Sequence, residues 1–573
     1  MLRRETILLA ALLGGLGGPA LAQLPPPPPA GSPLPRVEPL PPPAVSIPTL
    51  PAPEQPAKPV PAADVTVRGV AVEGVTAYKR AEILALAGPG LIGPAVPLAR
   101  IEAARAAILR RYREDGYVLS GVSVNIDASG ALRFLVTEGR IAEVKLSADI
   151  GPAGSRVLRF LQRLTEKTPI DEATLERYLL LAQSVPGVTL HAVLQPVPGD
   201  PGAMTLIAEV ARAAISGLLT TDNYSSRYTG PIESLLVADA NSFTSYGERT
   251  EVSLYHTWPN SQTFGQAASE FFIGDNGLKL RVYGGSGQTA PTGPLALEGY
   301  LGITNVFGTA LTFPAIRARN ETLDLYTSLD AIESEIGLLS NGTRARASFD
   351  SLRIARIGGD YARSDLLLGA GRGAVNEVSV RLSKGLAGLG ASQDGAANLP
   401  RTGEAADFLK VDARISRSQT LFSPYEGATV ALLGVVAGQF TNSIMPPAEE
   451  FYLGGLQYLR GYESGIITGD RVLTATIELD FNTSIDLSAV ALPAPVPVQV
   501  YGFYDWGETW QHDPQSLSVR AASSGIGARV TATSYAEVDL LAAARLNRYP
   551  TGSGPTISAL NAGTFLWRVL TRF

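Results

Sequence analysis

The segment EEFYLGG at residues 449–455, followed by Leu459-Arg460-Gly461-Tyr462 (LRGY), decides the fold of this chain. An arginine beside a glycine in a turn is normally a solvated loop residue. Further along, however, residues 503–507 read FYDWG, and Asp505 lies there on a predicted strand. A carboxylate at that place is a suitable partner for a guanidinium. We therefore predict that Arg460 occupies a loop tip and is paired with Asp505 on a barrel wall.

Glycines recur around this predicted loop. Gly454 and Gly455 precede the arginine, Gly461 follows it directly, and Gly507 stands two residues after the aspartate. Glycine adopts backbone conformations that other residues avoid, so these positions permit a tight chain reversal and a close backbone approach. We assign Glu450 to the same loop motif, and we expect the tyrosine that ends LRGY to pack against the wall.

From about residue 213 the chain shows the two-residue alternation of β-strands. Residues 278–283 and 323–330 alternate strictly between apolar and polar side chains, and residues 250–255 continue the pattern. A membrane barrel has lipid outside and water inside, whereas a soluble sandwich has the same alternation with the faces exchanged. Length favours the barrel, because the rest of the 573-residue chain holds about sixteen strands with spans of ~9–11 residues. We predict a transmembrane, antiparallel all-β barrel over residues 213–573.

The end of the chain has the form of an amphipathic strand. Arg568 and Arg572 point to one side, and the other side carries four apolar residues: Phe565, Trp567, Val569 and Phe573. The last residue is aromatic, which favours a further role for this strand in addition to forming part of the barrel wall.

The chain ahead of the barrel repeats one order of elements: strand, helix, helix, strand, strand. The first repeat has its elements at residues 65–72, 78–87, 98–114, 118–126 and 132–137. The second has strands at 141–146, 188–194 and 204–210, a helix at 155–164, and a helix for which Asp171 is the predicted N-cap. This order predicts two α+β units, at residues 64–138 and 139–212, although other small α+β pairs share it.

The N-terminus has the features of a secretory signal. Arg3 and Arg4 precede an apolar run and the small-x-small site Ala20-Leu21-Ala22, so residues 1–22 are the predicted signal peptide. Residues 23–63 are rich in proline and are predicted to be an extended linker. No amphipathic plug helix is predicted between them. Since no later segment supplies the ~18 apolar residues of a membrane helix, any crossing of a membrane must use a closed barrel.

The EEFYLGG, LRGY and FYDWG segments together resemble the signature of the POTRA-plus-barrel outer-membrane superfamily (BamA/TpsB). Within it the chain is similar to the TpsB-type two-partner secretion transporters, the haemolysin secretion/activation proteins of the ShlB, FhaC and HecB kind. Gly116-Tyr117 and the junction from Glu138 to Ile141 resemble the linking motifs of that family's POTRA domains. The resemblance runs from about residue 65 to the end of the chain.

This resemblance implies a bacterial outer-membrane protein with POTRA 1 at 64–138 and POTRA 2 at 139–212 in the periplasm. It implies export of an unfolded, TpsA-like secreted partner, encoded nearby, through the barrel without ATP. The loop carrying Arg460 would lie in the lumen and be locked to Asp505. Trp567 and Phe573 would form the C-terminal insertion signal, which brings the barrel assembly machinery and outer-membrane lipid among the partners.

Composition excludes several other classes. The chain has no cysteine, which excludes disulfides, thiolate metal sites and a cysteine nucleophile. A net charge of -6 gives no basic field for nucleic acid. No lysine follows a glycine directly, so no Walker A loop exists, and the three histidines lie far apart. We therefore expect no cofactor, no metal and no enzymatic activity.

Three alternatives remain open to the sequence. An assembly factor of the BamA or TamA type shares the barrel but usually has more POTRA units than the two predicted here. A passive solute porin would lack both the periplasmic units and the paired loop arginine. A soluble all-β enzyme would need a cluster of titratable groups, and the sequence shows none.

Overall fold

The computed structural model describes residues 63–340, 342–396, 398–486, 495–514, 516, 518–533, 535–547 and 560–573. The predicted signal peptide and the proline-rich linker, except its last residue, lie outside these ranges, as does the place where a plug helix would stand. Among the described residues, no helix combines the length and the apolar character needed to span a membrane.

The first α+β unit contains five strands and two helices in its described residues. These are β1 (Asp64–Val67), β2 (Gly69–Glu73), α1 (Arg80–Leu86), β3 (Gly93–Pro97), α2 (Leu98–Glu114), β4 (Gly121–Ile126) and β5 (Ala131–Thr137). Strands β2, β5 and β4 form one sheet in that order, with β2 parallel to β5. Helix α2 packs on it through Ile108 and Tyr112, which are fully buried.

One prediction for this unit is wrong in detail. The predicted single strand at 65–72 is two strands in different sheets, because β1 pairs with β3 while β2 pairs with β5. The chain changes sheet at Arg68, whose backbone N–H donates instead to the Gly130 carbonyl at 2.8 Å. Strand β3 was not predicted, since its five residues include two prolines and show no alternation.

The second α+β unit has the predicted order of elements. These are β6 (Arg140–Leu146), α3 (Pro152–Gln162), a 3-10 turn (Arg163–Thr165), α4 (Glu172–Gln183), β7 (Val188–Pro196) and β8 (Ala203–Arg212). The sheet has the order β6-β8-β7. The predicted N-cap is confirmed, because the Asp171 carboxylate accepts the Thr174 backbone N–H at 2.8 Å.

The rest of the described chain forms a closed antiparallel barrel, as predicted, and sixteen strands of the described residues take part in it. They are β9 (Ile215–Asp222), β10 (Ile232–Asn241), β11 (Arg249–Trp258), β12 (Gln262–Ile273), β13 (Leu278–Thr289), β14 (Leu301–Arg317), β15 (Glu321–Ser340), β16 (Thr343–Asp365), β17 (Ala374–Gly385), β18 (Leu409–Phe422), β19 (Thr429–Thr441), β22 (Arg471–Ile485), β23 (Val496–Trp510), β24 (Val519–Thr533), β25 (Ala536–Arg545) and β26 (Gly563–Arg572). Two short strands, β20 (Phe451–Leu453) and β21 (Ile467–Gly469), and the short helix α5 (Pro294–Leu297) lie in loops.

The two faces of the wall differ in polarity. Apolar side chains such as Ile477, Ile526 and Phe565 are exposed on the outside, at 58%, 69% and 59%. Residues whose side chains point to the other face of the same sheet, such as Glu478 and Asp505, are buried on the inside. A barrel in lipid requires this distribution, with the polar groups facing the lumen.

The chain enters the barrel from β8 into β9 through residues 213–214, so the α+β units lie at the end where β9 begins. Short turns at 242–248, 274–277 and 318–320 lie at that same end, and Phe573 ends there. The opposite end carries the longer loops, including 386–408 and 442–470. The LRGY segment therefore belongs to a loop that starts at the far end of the barrel.

The last strand closes the barrel on the first. Strand β26 pairs with β9 over five residues, and Phe573 extends the pairing through two backbone hydrogen bonds with Gly217, at 2.9 and 3.1 Å. The Phe573 ring covers Gly217, where a Cβ would stand 2.4 Å from it. The side chain of Asn223 adds bonds to the backbone of Phe565 and Trp567 at 3.0 and 2.8 Å.

We expect Phe573→Ala to lower the amount of assembled barrel several-fold, because it removes the ring that covers Gly217 in the closing strand pair. Phe573→Tyr keeps the ring and should assemble as the unsubstituted chain does. The measurement is the heat-modifiable fraction of the protein in membrane preparations. Equal folded fractions in all three chains would exclude this role for the terminal ring.

Candidate functional site

The candidate site is the loop of residues 442–470, which joins β19 to β22. Its stem is the antiparallel pair of β20 and β21, and its tip is the segment of residues 454–465. The tip does not project into solvent. Leu459 and Tyr462 are 0% and 1% exposed and pack with Val472 and Ala521 of the wall. Because these wall residues lie on the face opposite the exposed apolar one, the loop folds into the lumen.

Glycines shape the tip as the sequence predicts. Gly454 has φ of 103°, and a Cβ there would lie 2.1 Å from the Glu463 carbonyl oxygen. Gly461 has φ of 94° and faces Ala543 of β25. Leu459 also has a positive φ, of 56°, which residues with a Cβ rarely adopt. The tip therefore has a specific conformation that brings Arg460 against the wall.

Arg460 and Asp505 are in direct contact. Asp505 accepts three hydrogen bonds from this one residue: from the backbone N–H at 2.8 Å, from Nε at 2.9 Å and from Nη2 at 2.9 Å. The remaining terminal nitrogen, Nη1, donates to Glu478 of β22. The guanidinium also lies 3.8 Å from the ring centre of Phe503. Arg460 is 6% exposed and Asp505 is 0% exposed, so this ion pair is shielded from water and is weakened little by salt.

A second guanidinium extends the network along the wall. Arg529 of β24 binds the other oxygen of Glu478 at 3.1 Å and binds Asp539 of β25 at 3.2 Å. It lies 4.1 Å from the ring centre of Tyr501, whose hydroxyl donates to Asp539 at 2.8 Å. Glu478 thus joins the two arginines, which are held by carboxylates of β22, β23 and β25.

The tip has further contacts besides the arginine. Ser523 of β24 donates to the Arg460 carbonyl, and Arg545 of β25 donates to the Gly461 carbonyl. The Tyr462 hydroxyl donates to the Asn547 carbonyl at 2.7 Å and also lies 3.1 Å from the Ala522 carbonyl oxygen. Strands β22 to β25 therefore all bind the tip.

The stem is held by another part of the wall. Glu449 is buried and forms ion pairs with Arg356 of β16 and with Lys410 of β18, the latter at 2.9 Å. At the far end of the barrel, Arg401 from the loop of residues 386–408 binds Asp470 at 2.7 Å and Glu450 at 3.2 Å. The loop consequently extends across the lumen between two sets of charged groups.

The remaining predicted residues fall in two places. Gly507 faces the stem, and a Cβ there would lie 2.8 Å from Leu453. Gly455 lies in the tip, where its N–H donates to the Tyr462 carbonyl at 2.8 Å. Trp567 and Phe573 lie on the closing strand, away from the loop. The predicted site thus divides into a lumenal cluster and a separate closing strand.

Sequence reasoning missed most residues of the lumenal cluster around Arg460. Arg529, Ser523 and Arg545 are single polar residues on strands with no motif around them. Glu478 had a usable signal, because it and Asp480 are acidic residues on the inner side of a strand whose outer side is apolar. Among the described residues, no group of three or more acidic or histidine side chains is arranged to hold a metal ion.

The geometry predicts how firmly the tip is held. We expect Asp505→Ala to release the tip far more than Glu478→Gln, because Asp505 receives three bonds from Arg460 and Glu478 receives one. Removing one partner of a buried ion pair costs about 3–5 kcal/mol. Since ~1.4 kcal/mol is a factor of ten, exposure of the surface beneath the tip should rise a hundredfold or more in Asp505→Ala.

Ala543→Cys provides the reporter for this prediction, because the chain has no cysteine and Ala543 is 5% exposed beneath Gly461. The measurement is the rate of maleimide labelling of the assembled barrel. Gln457→Cys, at an exposed position of the tip, is the control for reagent access and should label quickly in every variant. Equal labelling rates at 543 in the two acid-site variants would contradict the ranking.

Comparison with known proteins agrees with this architecture. A family model described as POTRA domain, ShlB-type, matches residues 65–139, and one described as Omp85 superfamily domain matches residues 324–548. Comparison with curated proteins gives no match.

Several solved structures share the fold. CdiB from Escherichia coli has 17% sequence identity and a TM-score of 0.69, with 91% of this chain and 93% of that chain covered. CdiB from Acinetobacter baumannii has 14% identity and a TM-score of 0.63, with 89% and 90% covered. BamA from Haemophilus ducreyi lacking POTRA domains 1-3 has 13% identity and a TM-score of 0.50, with 89% and 100% covered.

The ShlB-type POTRA model, the Omp85 model and the closed sixteen-stranded barrel of the described residues agree on one assignment. The chain carries a ShlB-type POTRA domain and an Omp85 superfamily domain on a barrel fold that it shares with CdiB, and it resides in the outer membrane with its POTRA domain in the periplasm.

Proposed function

We propose that this protein exports an unfolded secreted partner from the periplasm to the cell surface through its barrel. The observation that carries the proposal is the lumenal loop, whose tip is bound to the wall through Arg460, Asp505 and Glu478. A passive channel needs no segment of its own chain across the lumen. A protein-sized conduit needs one, because it must stay closed to solutes when no partner is present.

The periplasmic units supply the partner's first contact. Each sheet has edge strands, β4 in the first unit and β7 in the second, that leave backbone donors and acceptors free. An extended peptide can add to such an edge through main-chain hydrogen bonds, while side-chain grooves give selectivity. The proposed partner is therefore a TpsA-like protein, encoded nearby, that arrives without its folded structure.

Directionality needs no nucleotide in this proposal. Folding of the exported segment outside the cell buries apolar surface, and this makes its return through the barrel unfavourable. The rest of the chain follows. The protein's own role is transport, with no chemical step.

The resting state follows from the charges of the loop. With Arg460 bound, the tip lies in the lumen against the inner face of strands β22 to β25. Opening requires the guanidinium to leave Asp505 and Glu478 and to be rehydrated. An incoming polypeptide or a change at the lumen wall must offset that cost, so the ion pair sets the threshold for opening.

An assembly factor for other barrels is the second candidate within the superfamily, and the likeness to BamA makes it worth testing. The described residues contain two α+β units, as expected for an exporter. Deletion of an assembly factor would lower the levels of many outer-membrane proteins. Deletion of an exporter would leave those levels unchanged and remove one secreted protein.

We expect Arg460→Ala to reduce secretion of the partner encoded beside this gene at least tenfold while the barrel still reaches the outer membrane, because the tip loses the three bonds that the Arg460 side chain makes to the wall. The measurements are the surface and culture-medium amounts of the partner and the heat-modifiable fraction of the barrel.

Arg520→Ala is the matched control, because Arg520 belongs to the same wall but has a 62% exposed side chain. It should secrete as the unsubstituted chain does. Full secretion by Arg460→Ala would remove the loop from the mechanism. Absence of secretion by the unsubstituted chain would reject the export proposal itself.

A further inference from the structure

The second α+β unit shares its hydrophobic core with the barrel. Phe272 is the penultimate residue of β12, yet it is 2% exposed and belongs to the cluster formed by α3, α4 and the sheet of that unit. Its ring meets the ring of Phe160 on α3 edge-on, with 5.2 Å between centres. A barrel residue therefore completes the core of a periplasmic domain.

A buried arginine lies at the same joint. Arg156 on α3 is 1% exposed, and its Nη1 donates to the Gly274 carbonyl at 2.8 Å, in the barrel turn that follows β12. Its guanidinium lies 5.8 Å from the ring centre of Phe160 and 5.7 Å from that of Phe272. A charged group tolerates such burial only while its acceptors and rings stay in place.

Helix α4 extends the contact to the neighbouring turns. Arg177 donates to the Pro314 carbonyl at 3.0 Å, near the end of β14. Leu181 packs so closely on the turn of residues 274–277 that a Cβ on Gly277 would lie 2.6 Å from it. On α3 and the 3-10 turn after it, Arg156 and Arg163 both lie within ion-pair distance of Asp275, at 3.8 and 3.3 Å.

Opening this joint would be costly in several ways at once. Phe160 and Phe272 would be exposed to water, and the Arg156 guanidinium would lose the Gly274 carbonyl and the ring of Phe272. By contrast, an α+β unit connected only by a linker would need no aromatic residue of the barrel in its core.

We propose that Arg156 and Phe272 are positioning residues that hold the second α+β unit in one orientation on the barrel, and that export proceeds with this joint closed. This inference rests on the export function proposed above. It means that the β7 edge stays at a constant place beside the pore entrance, and that the motions of transport occur in the loop, in the barrel or in the first unit.

The test is a reversible cross-link over the joint in the full-length protein. Arg163→Cys and Asp275→Cys introduce the only two cysteines. Both positions are partly exposed, and in the unsubstituted protein the Arg163 and Asp275 side chains lie 3.3 Å apart. A short bis-methanethiosulfonate reagent links them, and a reductant removes the link. The link closes a loop spanning 112 positions, which changes migration in a denaturing gel and so reports the yield.

The expected result is a near-complete cross-link and secretion of the partner within twofold of that of the reduced protein. Secretion that stops when the link forms and returns on reduction would overturn the proposal. The control pair is Arg140→Cys with Asp200→Cys, which meet within the second unit and do not bridge the joint. Linking that pair should leave secretion unchanged and so accounts for effects of the reagent.

The two proposals fail in different ways. If the unsubstituted chain secretes nothing, the export function is rejected, and the cross-link yield alone then decides the joint. A near-complete yield in assembled barrels supports a closed joint, and a yield below half overturns it.

A core substitution gives a second measurement. Phe272→Ala should lower the yield at 163 and 275 at least threefold and reduce secretion, with the barrel still heat-modifiable. Phe271→Ala is the matched control, because Phe271 is the adjacent residue and points to the other side of the strand, towards Tyr246. Equal yields in the two variants would overturn the positioning role of Phe272.

Discussion

A guanidinium withdrawn from water must keep its hydrogen-bond donors paired, and this constraint determines where the lumenal loop lies. Arg460 is charged at any physiological pH, so its removal from solvent requires acceptors fixed in advance on a rigid surface. Asp505 and Glu478 provide them on two adjacent strands. The wall therefore specifies the position of the tip to within the reach of one side chain, and the rest of the loop follows.

Only a closed barrel offers such a surface. Closure satisfies the backbone groups of every strand and leaves the side chains of alternate residues pointing inward, away from lipid. Acidic and basic residues can then line the lumen without facing hydrocarbon, as Glu478, Arg529 and Asp539 do. The same closure depends on the pairing of β26 with β9. The lumenal surface that binds the loop therefore depends on this closing strand pair.

Two buried arginines hold this protein together by different means. Arg460 is bound by carboxylates, and its release is governed by electrostatics and rehydration. Arg156 is bound by a backbone carbonyl and two aromatic rings, and its release also exposes apolar surface. An ion pair can exchange its partner for another charge or for water with modest rearrangement. A shared hydrophobic core cannot, which is why we place the motion at the first arginine and the rigidity at the second.

The sequence alone determined the class of the protein: alternation and the length of the region together predicted the barrel, the repeated order of strands and helices predicted the α+β units, and the joint presence of LRGY and FYDWG identified Arg460 and Asp505 as partners. These features can be read from short motifs, from the alternation and order of predicted elements, and from the length of the chain. Tertiary structure decided what depends on distant segments meeting. Strand β1 separates from β2 because β3 pairs with it, Glu478 reaches Arg460 through strand register, and Phe272 enters the core of another domain. None of these contacts is encoded in a spacing, because each joins residues whose separation along the chain is set by loops of arbitrary length.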